Sequence, residues 1–331
     1  MIMKFIKDKD YIGIVSPSSP VAHFCPQRLS RGIKFLESKG YNVLLGSHVQ
    51  DIDKFTAGTA QNRADDINRM FADSRVKIII ATIGGFNAND VLDLLDYDLI
   101  RQHNDKLFIG YSDITILNYA LHMKSGVSTI MGPMILPQFA EYPVMQDFSW
   151  QSFLKVIENI NSGSLYDVPH SLKWTEEMLL WDKEDGRPRE LRDNDPWQII
   201  REGSAAGILF PANLNTFCRL IGTEYFPNLD GAILFLEDDD EESSATLQRM
   251  LRHLKQTGKI DNISGIVFGR FQSKSEISYD DLKFIINNVF SNHNFPVIAN
   301  LDFGHSDPVL SLPLGKKVSF DTKNKKIEII L

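Results

Sequence analysis

Residues 76–85 read VKIIIATIGG, and no other stretch restricts the fold as tightly. A short, nearly unbroken apolar run closed by two glycines fits a strand buried on both faces. Such strands belong to parallel sheets covered by helices on each side. The surrounding chain keeps the matching rhythm. YIGIVSPS is a β-rich run ending in turn residues, and PQRLSRGIKFLESKG then sets Leu29, Ile33 and Leu36 on one helical face, with Gly40 as its stop. YNVLLG follows as a strand, and TAQNRADDINRMFAD brings Ala64, Ile67 and Phe71 to helical spacing. NDVLDLLD reads as helix, KLFIGYS as strand and ITILNYALHMKSG as helix. Repeated βα units with short links predict a doubly wound, flavodoxin- or Rossmann-like α/β domain over residues 1–165.

The rhythm breaks over residues 166–200, where WTEEMLLWDKEDGRPRELRDNDPW mixes Trp174, Trp181 and Trp197 with dense charge. This segment reads as a linker plus a long functional loop, since three tryptophans are costly to leave unpacked. From 201 to 331 the pattern turns β-rich, predicting a second, barrel-like domain. It includes AAGILFPANL, GAILFLE, ISGIVFGRF and FPVIANLDFG, one helix from a serine N-cap in SSATLQRMLRHLKQTGK, and a terminal hairpin around TKNK.

Composition narrows the partners. The 331 residues carry a net charge of −8 and no Lys/Arg-rich block, which argues against nucleic acid and anionic membranes as partners. Cys25 and Cys218 are far apart and form no CxxC pair, so a reducing compartment is expected. Charges interrupt the apolar start MIMKFIKDKDYIGIV, unlike a signal peptide, and the expectation is a cytoplasmic protein. GxGxxG, GxxxxGK[ST] and HExxH are all missing, so neither a nucleotide cofactor nor a metal is expected.

Ligands of a doubly wound sheet bind at the carboxyl ends of its strands, and two loops stand there. Gly84-Gly85 would let backbone N–H groups face a bound oxygen, or would simply make a tight turn. Gly110-Tyr111-Ser112-Asp113 places a hydroxyl at a strand-to-helix turn, where a serine is either a nucleophile or a helix N-cap. A nucleophilic serine needs a base and an oriented carboxylate. His305, in LDFGHSDPVLSLPLG, follows a strand and precedes a proline-stiffened stretch. Glu237 ends the apolar strand GAILFLE, ahead of five acidic residues that read as a solvated helix start. Ser112, Glu237 and His305 thus all fall at strand ends.

GYSDITIL, LED after an apolar strand, and GHSDPVLSLPLG together resemble the three signature segments of the serine LD-carboxypeptidase family, in the order serine, glutamate, histidine. SPSSP and TAGTAQNRADDINRMFAD extend the resemblance over nearly the whole chain. TIGGFNAND resembles the microcin C immunity branch more than the Arg-Gly-Gly-Tyr-Gly loop of the peptidoglycan-recycling enzymes. The resemblance implies a cofactor-free, homodimeric serine peptidase with Ser112, Glu237 and His305 as triad. Backbone N–H groups of Gly85 and Asp113 would form the oxyanion hole, and the Asp113 side chain would cap the helix. It also implies substrate contacts from Gly84, Phe86, Trp174 and Trp181, and a small peptide-like or aminoacyl-nucleotide substrate. A muramoyl-tetrapeptide LD-carboxypeptidase and a non-catalytic small-molecule binder are the alternatives. Pro211-Ala212 replaces a glycine pair common among relatives, which implies a differently shaped pocket.

Overall fold

The computed structural model describes residues 6–7 and 9–331, which divide into two compact units. The first comprises residues up to 158 together with 177–190, and the second comprises 159–176 and 191–331. The 166–200 segment is therefore shared out between them.

In the first unit β1 (Tyr11–Val15) leads through α1 (Val21–Phe24) and α2 (Pro26–Ser38) to β2 (Asn42–Leu45). Then come α3 (Ala60–Ala72), β3 (Val76–Ala81), α4 (Tyr97–Gln102), β4 (Leu107–Ile109), α5 (Thr115–Ser125), β5 (Ser128–Met131) and α6 (Asp147–Asn159). The strands run parallel in the order β5, β4, β3, β1, β2. The order reverses between β1 and β3, the crevice where such sheets bind ligands. Ile78, Ile79 and Ile80 of β3 are fully buried, as a strand covered on both faces requires. Local stops agree with the residues that make them: Thr59 accepts from Asn62 N–H at the start of α3, and Gly40 and Gly126 turn left-handed after α2 and α5.

The second unit is one mixed sheet of eight strands, together with the two-stranded ribbon of β7 (Lys173–Trp174) and β8 (Arg192–Asp193). The sheet strands are β6 (Leu165–Asp167), β9 (Gln198–Arg201), β10 (Ser204–Asn213), β11 (Ala232–Glu237), β12 (Gly265–Gly269) and β13 (Val297–Leu301). A two-residue strand β14 (Leu312–Pro313) precedes the hairpin of β15 (Lys317–Asp321) and β16 (Lys326–Ile330). The spatial order is β6, β16, β15, β10, β11, β12, β13, β9. Within it β10 to β13 run parallel, and the flanking pairs are antiparallel. Helices α7 (Leu214–Cys218), α8 (Ser244–Gln256) and α9 (Tyr279–Val289) complete the crossovers. Ser243 and Ser278 each open a capping box, at α8 and α9. Among the described residues no helix is long and apolar enough to cross a membrane.

Close packing fixes some glycines. A Cβ on Gly207 of β10 would stand 2.1 Å from the carbonyl oxygen of Gly231, which is backbone and cannot swing aside. Gly207→Ala should therefore destabilise the second unit by about 1–3 kcal/mol, the usual cost of overpacking. A shift in the chemical denaturation midpoint checks this, and an unchanged midpoint would contradict the packing described.

Candidate active site

In the first unit three loops leave the carboxyl ends of β1, β3 and β4. Ser112 follows β4 with φ +62°, in the left-handed region that a side chain enters at a cost of about 1–3 kcal/mol. An N-cap residue has extended backbone, so Ser112 does not have the geometry of a cap. It is the first residue of a 3₁₀ turn capped by Tyr111. The turn is tight because residue 110 is glycine: a Cβ there would meet Ile114 at 2.6 Å. Asn118 Nδ2 donates to the Gly110 carbonyl at 2.9 Å and holds the same corner from α5.

Gly84 lies against this corner. A Cβ on it would come within 2.8 Å of Ser112 Cβ, 3.0 Å of its Oγ and 3.2 Å of the Asp113 nitrogen. Gly85 has φ +128°, and a Cβ there would overlap Ser19. The bare backbone at 84–85 therefore leaves room beside the Ser112 hydroxyl and the Asp113 N–H.

The Asp113 carboxylate is not a cap, contrary to the expectation from sequence. It is buried, and its Oδ2 accepts from Ser18 Oγ at 2.5 Å and from the Ala88 N–H at 2.8 Å. Two donors from the β1 and β3 loops outcompete its own helix, and neither the 3₁₀ turn nor α5 carries a side-chain cap. Arg63, buried on α3, donates from Nη1 to the carbonyls of Pro17 and Asn87 at 2.8 Å each, tying the same loops together. No local pattern marks Ser18 or Arg63 in the sequence, beyond the place of Ser18 in the family segment SPSSP. Phe86 is 65% exposed.

In the second unit Glu237 ends β11 at 1% exposure, and its Oε2 accepts from His305 Nδ1 at 2.7 Å. That bond leaves Nε2 as the nitrogen able to take a proton. Gly269 and Gly304 make space for the carboxylate, since a Cβ on Gly304 would lie 2.7 Å from Oε2. The His305 loop is anchored at its root by fully buried Asp302. Arg270 Nη2, Asn194 Nδ2 and the Ser171 N–H donate to that carboxylate at 2.8–2.9 Å. A two-way backbone bridge joins Asp307 to Thr175. Burial alone would lower the His305 pKa, but the charge and hydrogen bond of Glu237 outweigh it and hold the imidazole at about 9. Asp238 is pushed up to about 8, first by burial and then by Glu237 beside it. Its carboxylate accepts from Asn213 Nδ2 and the Asn215 N–H at 3.0 and 3.1 Å, tying the end of β10 to the end of β11.

The two tryptophans expected to contact substrate fall in different units. Trp174 belongs to the second, with the guanidinium carbons of Arg270 and Arg192 at 4.8 and 5.6 Å from its ring centroid. It borders a cavity of about 400 Å³ lined also by Asn194, Phe271, Ser273 and Tyr279. Trp181 belongs to the first unit and stacks on Arg28.

A hydroxyl on a strained strand-to-helix elbow in one unit and a carboxylate-oriented imidazole in the other are the parts of a serine hydrolase. Family models agree: residues 12–132 match the LD-carboxypeptidase N-terminal domain and 206–320 match the LD-carboxypeptidase C-terminal domain. The chain belongs to the LD-carboxypeptidase family and is a hydrolase of peptide or amide bonds. It is 34% identical to the microcin C7 self-immunity protein MccF of Escherichia coli, over 97% of this chain and 93% of that protein. It is 29% identical to a probable murein peptide carboxypeptidase of Bacillus subtilis, over 97% and 92% of the two chains. Among solved structures, MccF in complex with glutamyl sulfamoyl guanosine is similar at TM-score 0.89 and 32% identity, covering 98% of this chain and 97% of that one. An MccF-like protein from Bacillus anthracis is similar at TM-score 0.91 and 32% identity, covering 100% and 99%.

The imidazole can be tested by itself. In the protein labelled at histidine ring carbons, His305 should titrate by NMR with a midpoint near 9. Glu237→Gln should drop the midpoint well below 9, because burial is then opposed only by the weaker pull of Asp239 and Asp238. The folded value lies above the ordinary one, so the pair stabilises the fold fully below about pH 6.5. That contribution fades as the pH rises through about 9. A midpoint near 6.5 in the wild-type protein would overturn the assignment.

Proposed function

We propose that the chain hydrolyses the amide at the carboxyl-terminal residue of a small peptide-like substrate, of the aminoacyl-nucleotide class, through an acyl-enzyme on Ser112. The observation that carries the reading is the left-handed backbone of Ser112, which a helix cap does not need and an exposed nucleophile does. In this reading His305 Nε2 takes the Ser112 proton as Oγ attacks the carbonyl carbon. Glu237 keeps Nδ1 protonated and balances the imidazolium. The Gly85 and Asp113 N–H groups hold the oxyanion, with Gly84 leaving the approach open. The imidazolium then protonates the departing nitrogen, the C–N bond breaks, and water, deprotonated by the same imidazole, releases the acid. The substrate class is supported by relatives whose structures hold aspartyl sulfamoyl adenosine, glutamyl sulfamoyl guanosine and AMP. Phe86, Trp174 and Trp181 are assigned to substrate contact.

The murein reading is favoured by the Bacillus subtilis relative, and one assay separates the two. Offered an aspartyl-adenosine phosphoramidate and an L,D-tetrapeptide, the enzyme should cleave the phosphoramidate preferentially; preference for the tetrapeptide would reassign the substrate. Ser112→Ala should lower kcat by at least about 10²–10⁴-fold while leaving the thermal midpoint unreduced. Near-wild-type turnover by that variant would remove the nucleophile assignment. With His305 as base, kcat/KM should climb about tenfold per pH unit and level off near 9. Family resemblance further supports a cytoplasmic homodimer. Light scattering should return twice the 37.6 kDa chain mass, and the single chain mass would refute it.

A further inference from the structure

His305 sits in a loop whose two feet are joined, the Leu310 N–H donating to the Asp302 carbonyl at 2.7 Å. The segment 171–175 runs along this loop. Its Ser171 N–H reaches the Asp302 carboxylate at 2.8 Å, and Thr175 and Asp307 exchange backbone bonds of 2.7 and 2.9 Å. The base is thus bracketed, with one tie three residues before it and another two residues after it. Glu176 fastens the end of the segment. Its carboxylate accepts from the Ser273 N–H and Oγ at 2.7 and 2.5 Å, and from Arg192 Nη1 at 2.8 Å.

The segment leaves as β7 and the chain returns as β8, with Lys173 paired to Asp193 and Trp174 to Arg192. Asn194 closes this ribbon. Its N–H donates to the Leu172 carbonyl at 3.0 Å. Its side-chain amide is fully engaged: Nδ2 donates to the Ser171 carbonyl at 2.8 Å and to Asp302 Oδ1 at 2.9 Å, while Oδ1 accepts from Arg270 Nη2 at 2.6 Å. Asn194 therefore clips both ends of the ribbon to the root of the His305 loop. Charge balance does not call for it, since Arg270 already meets the Asp302 carboxylate at 2.8 Å. What the amide adds is a fixed spacing between the 171–175 segment and the loop. The imidazole depends on that spacing, because the 2.7 Å bond from His305 Nδ1 to Glu237 is lost once the atoms part to about 3.6 Å.

We propose that Asn194 is a positioning residue for the imidazole, clipping the 171–175 segment to the root of the His305 loop so that Nδ1 meets Glu237. The inference rests on the reading of His305 as the base given above. Every residue it involves belongs to the second unit. Loosening the clip leaves the ionisable groups in the chain and moves only the backbone that carries one of them. A misplacement of about 1 Å at a reacting group costs on the order of 10²-fold in rate.

The test combines NMR of the full-length protein, labelled at histidine ring carbons, with turnover of the aspartyl-adenosine phosphoramidate. Asn194→Ala should bring the His305 midpoint down from about 9 by about half a unit or more, as the pull of Glu237 weakens while Asp238 and Asp239 stay. The pH at which kcat/KM levels off should fall by the same amount. On that plateau kcat should drop about ten- to hundredfold, with KM within about twofold. Asn194→Leu keeps the volume without the amide, should show the same changes, and decides the matter if Asn194→Ala fails to fold. Midpoint and plateau kcat both unchanged in a folded variant, with only the melting temperature lowered, would mark the clip as scaffolding and overturn the proposal. So would a midpoint that falls without loss of turnover, a loss of turnover with the midpoint still near 9, or failure of both variants to fold. If the wild-type protein leaves the phosphoramidate uncleaved while the midpoint falls in the variants, the reading of the reaction is overturned and the placement of the imidazole by Asn194 stands.

Discussion

A parallel strand must hand its chain to a crossover at its carboxyl end, and both units are organised by that requirement. Each loop leaving a strand end points the same way out of its sheet, so side chains distant in sequence are gathered without contacts designed for the purpose. In the first unit the β1, β3 and β4 loops bring Ser18, Gly84-Gly85 and Ser112 to one edge. In the second the ends of β10, β11, β12 and β13 bring Asn213, Glu237, Arg270 and Asp302 side by side. Asn213 pairs in register with Glu237, and His305 follows three residues after Asp302.

Having gathered these groups, the fold must keep them apart by the right amount, and it does so largely by omission. Gly84, Gly85 and Gly110 surround Ser112, while Gly269 and Gly304 surround Glu237, and each is a place where a single methyl group would overlap a neighbour. Buried charges then lock what the glycines admit. Asp113 joins the Ser18 and Ala88 loops, Arg63 joins Pro17 to Asn87, and Asp302 holds Arg270, Asn194 and Ser171. The strain at Ser112 persists because these surrounding bonds over-determine it.

The βα rhythm of the first unit was legible because a strand buried on both faces leaves an unmistakable apolar run. Ser112, Glu237 and His305 stand out in the sequence as candidates because each closes or follows such a run. Helix α9 carries Leu282, Ile285, Ile286 and Val289 at helical spacing, a signal masked in the sequence by the β-rich runs on either side. The parallel arrangement of β10 to β13 was hidden for a related reason: hydrophobic runs announce strands but not their direction. The side-chain partners were hidden on principle. That Asp113 would serve Ser18 rather than its own helix, or that Asp182 would cap a helix beginning at Pro26, depends on contacts across 95 and 155 residues. No local pattern carries such information.

The electrostatics of the second unit bind two properties together. A carboxylate as deeply buried as Glu237 requires a partner, and the Nδ1–H of His305 supplies it. The same attraction that makes the carboxylate tolerable raises the imidazole to about 9, two units above neutrality. At pH 7 only about one imidazole in a hundred is then free to accept a proton, though that one is a correspondingly stronger base. Weakening the pair would free more of the base and make each copy of it weaker, and would leave Glu237 buried with its charge uncompensated. Base strength, base availability and the stability of the β11 terminus are therefore coupled through one ion pair, the charge and 2.7 Å hydrogen bond between Glu237 and His305.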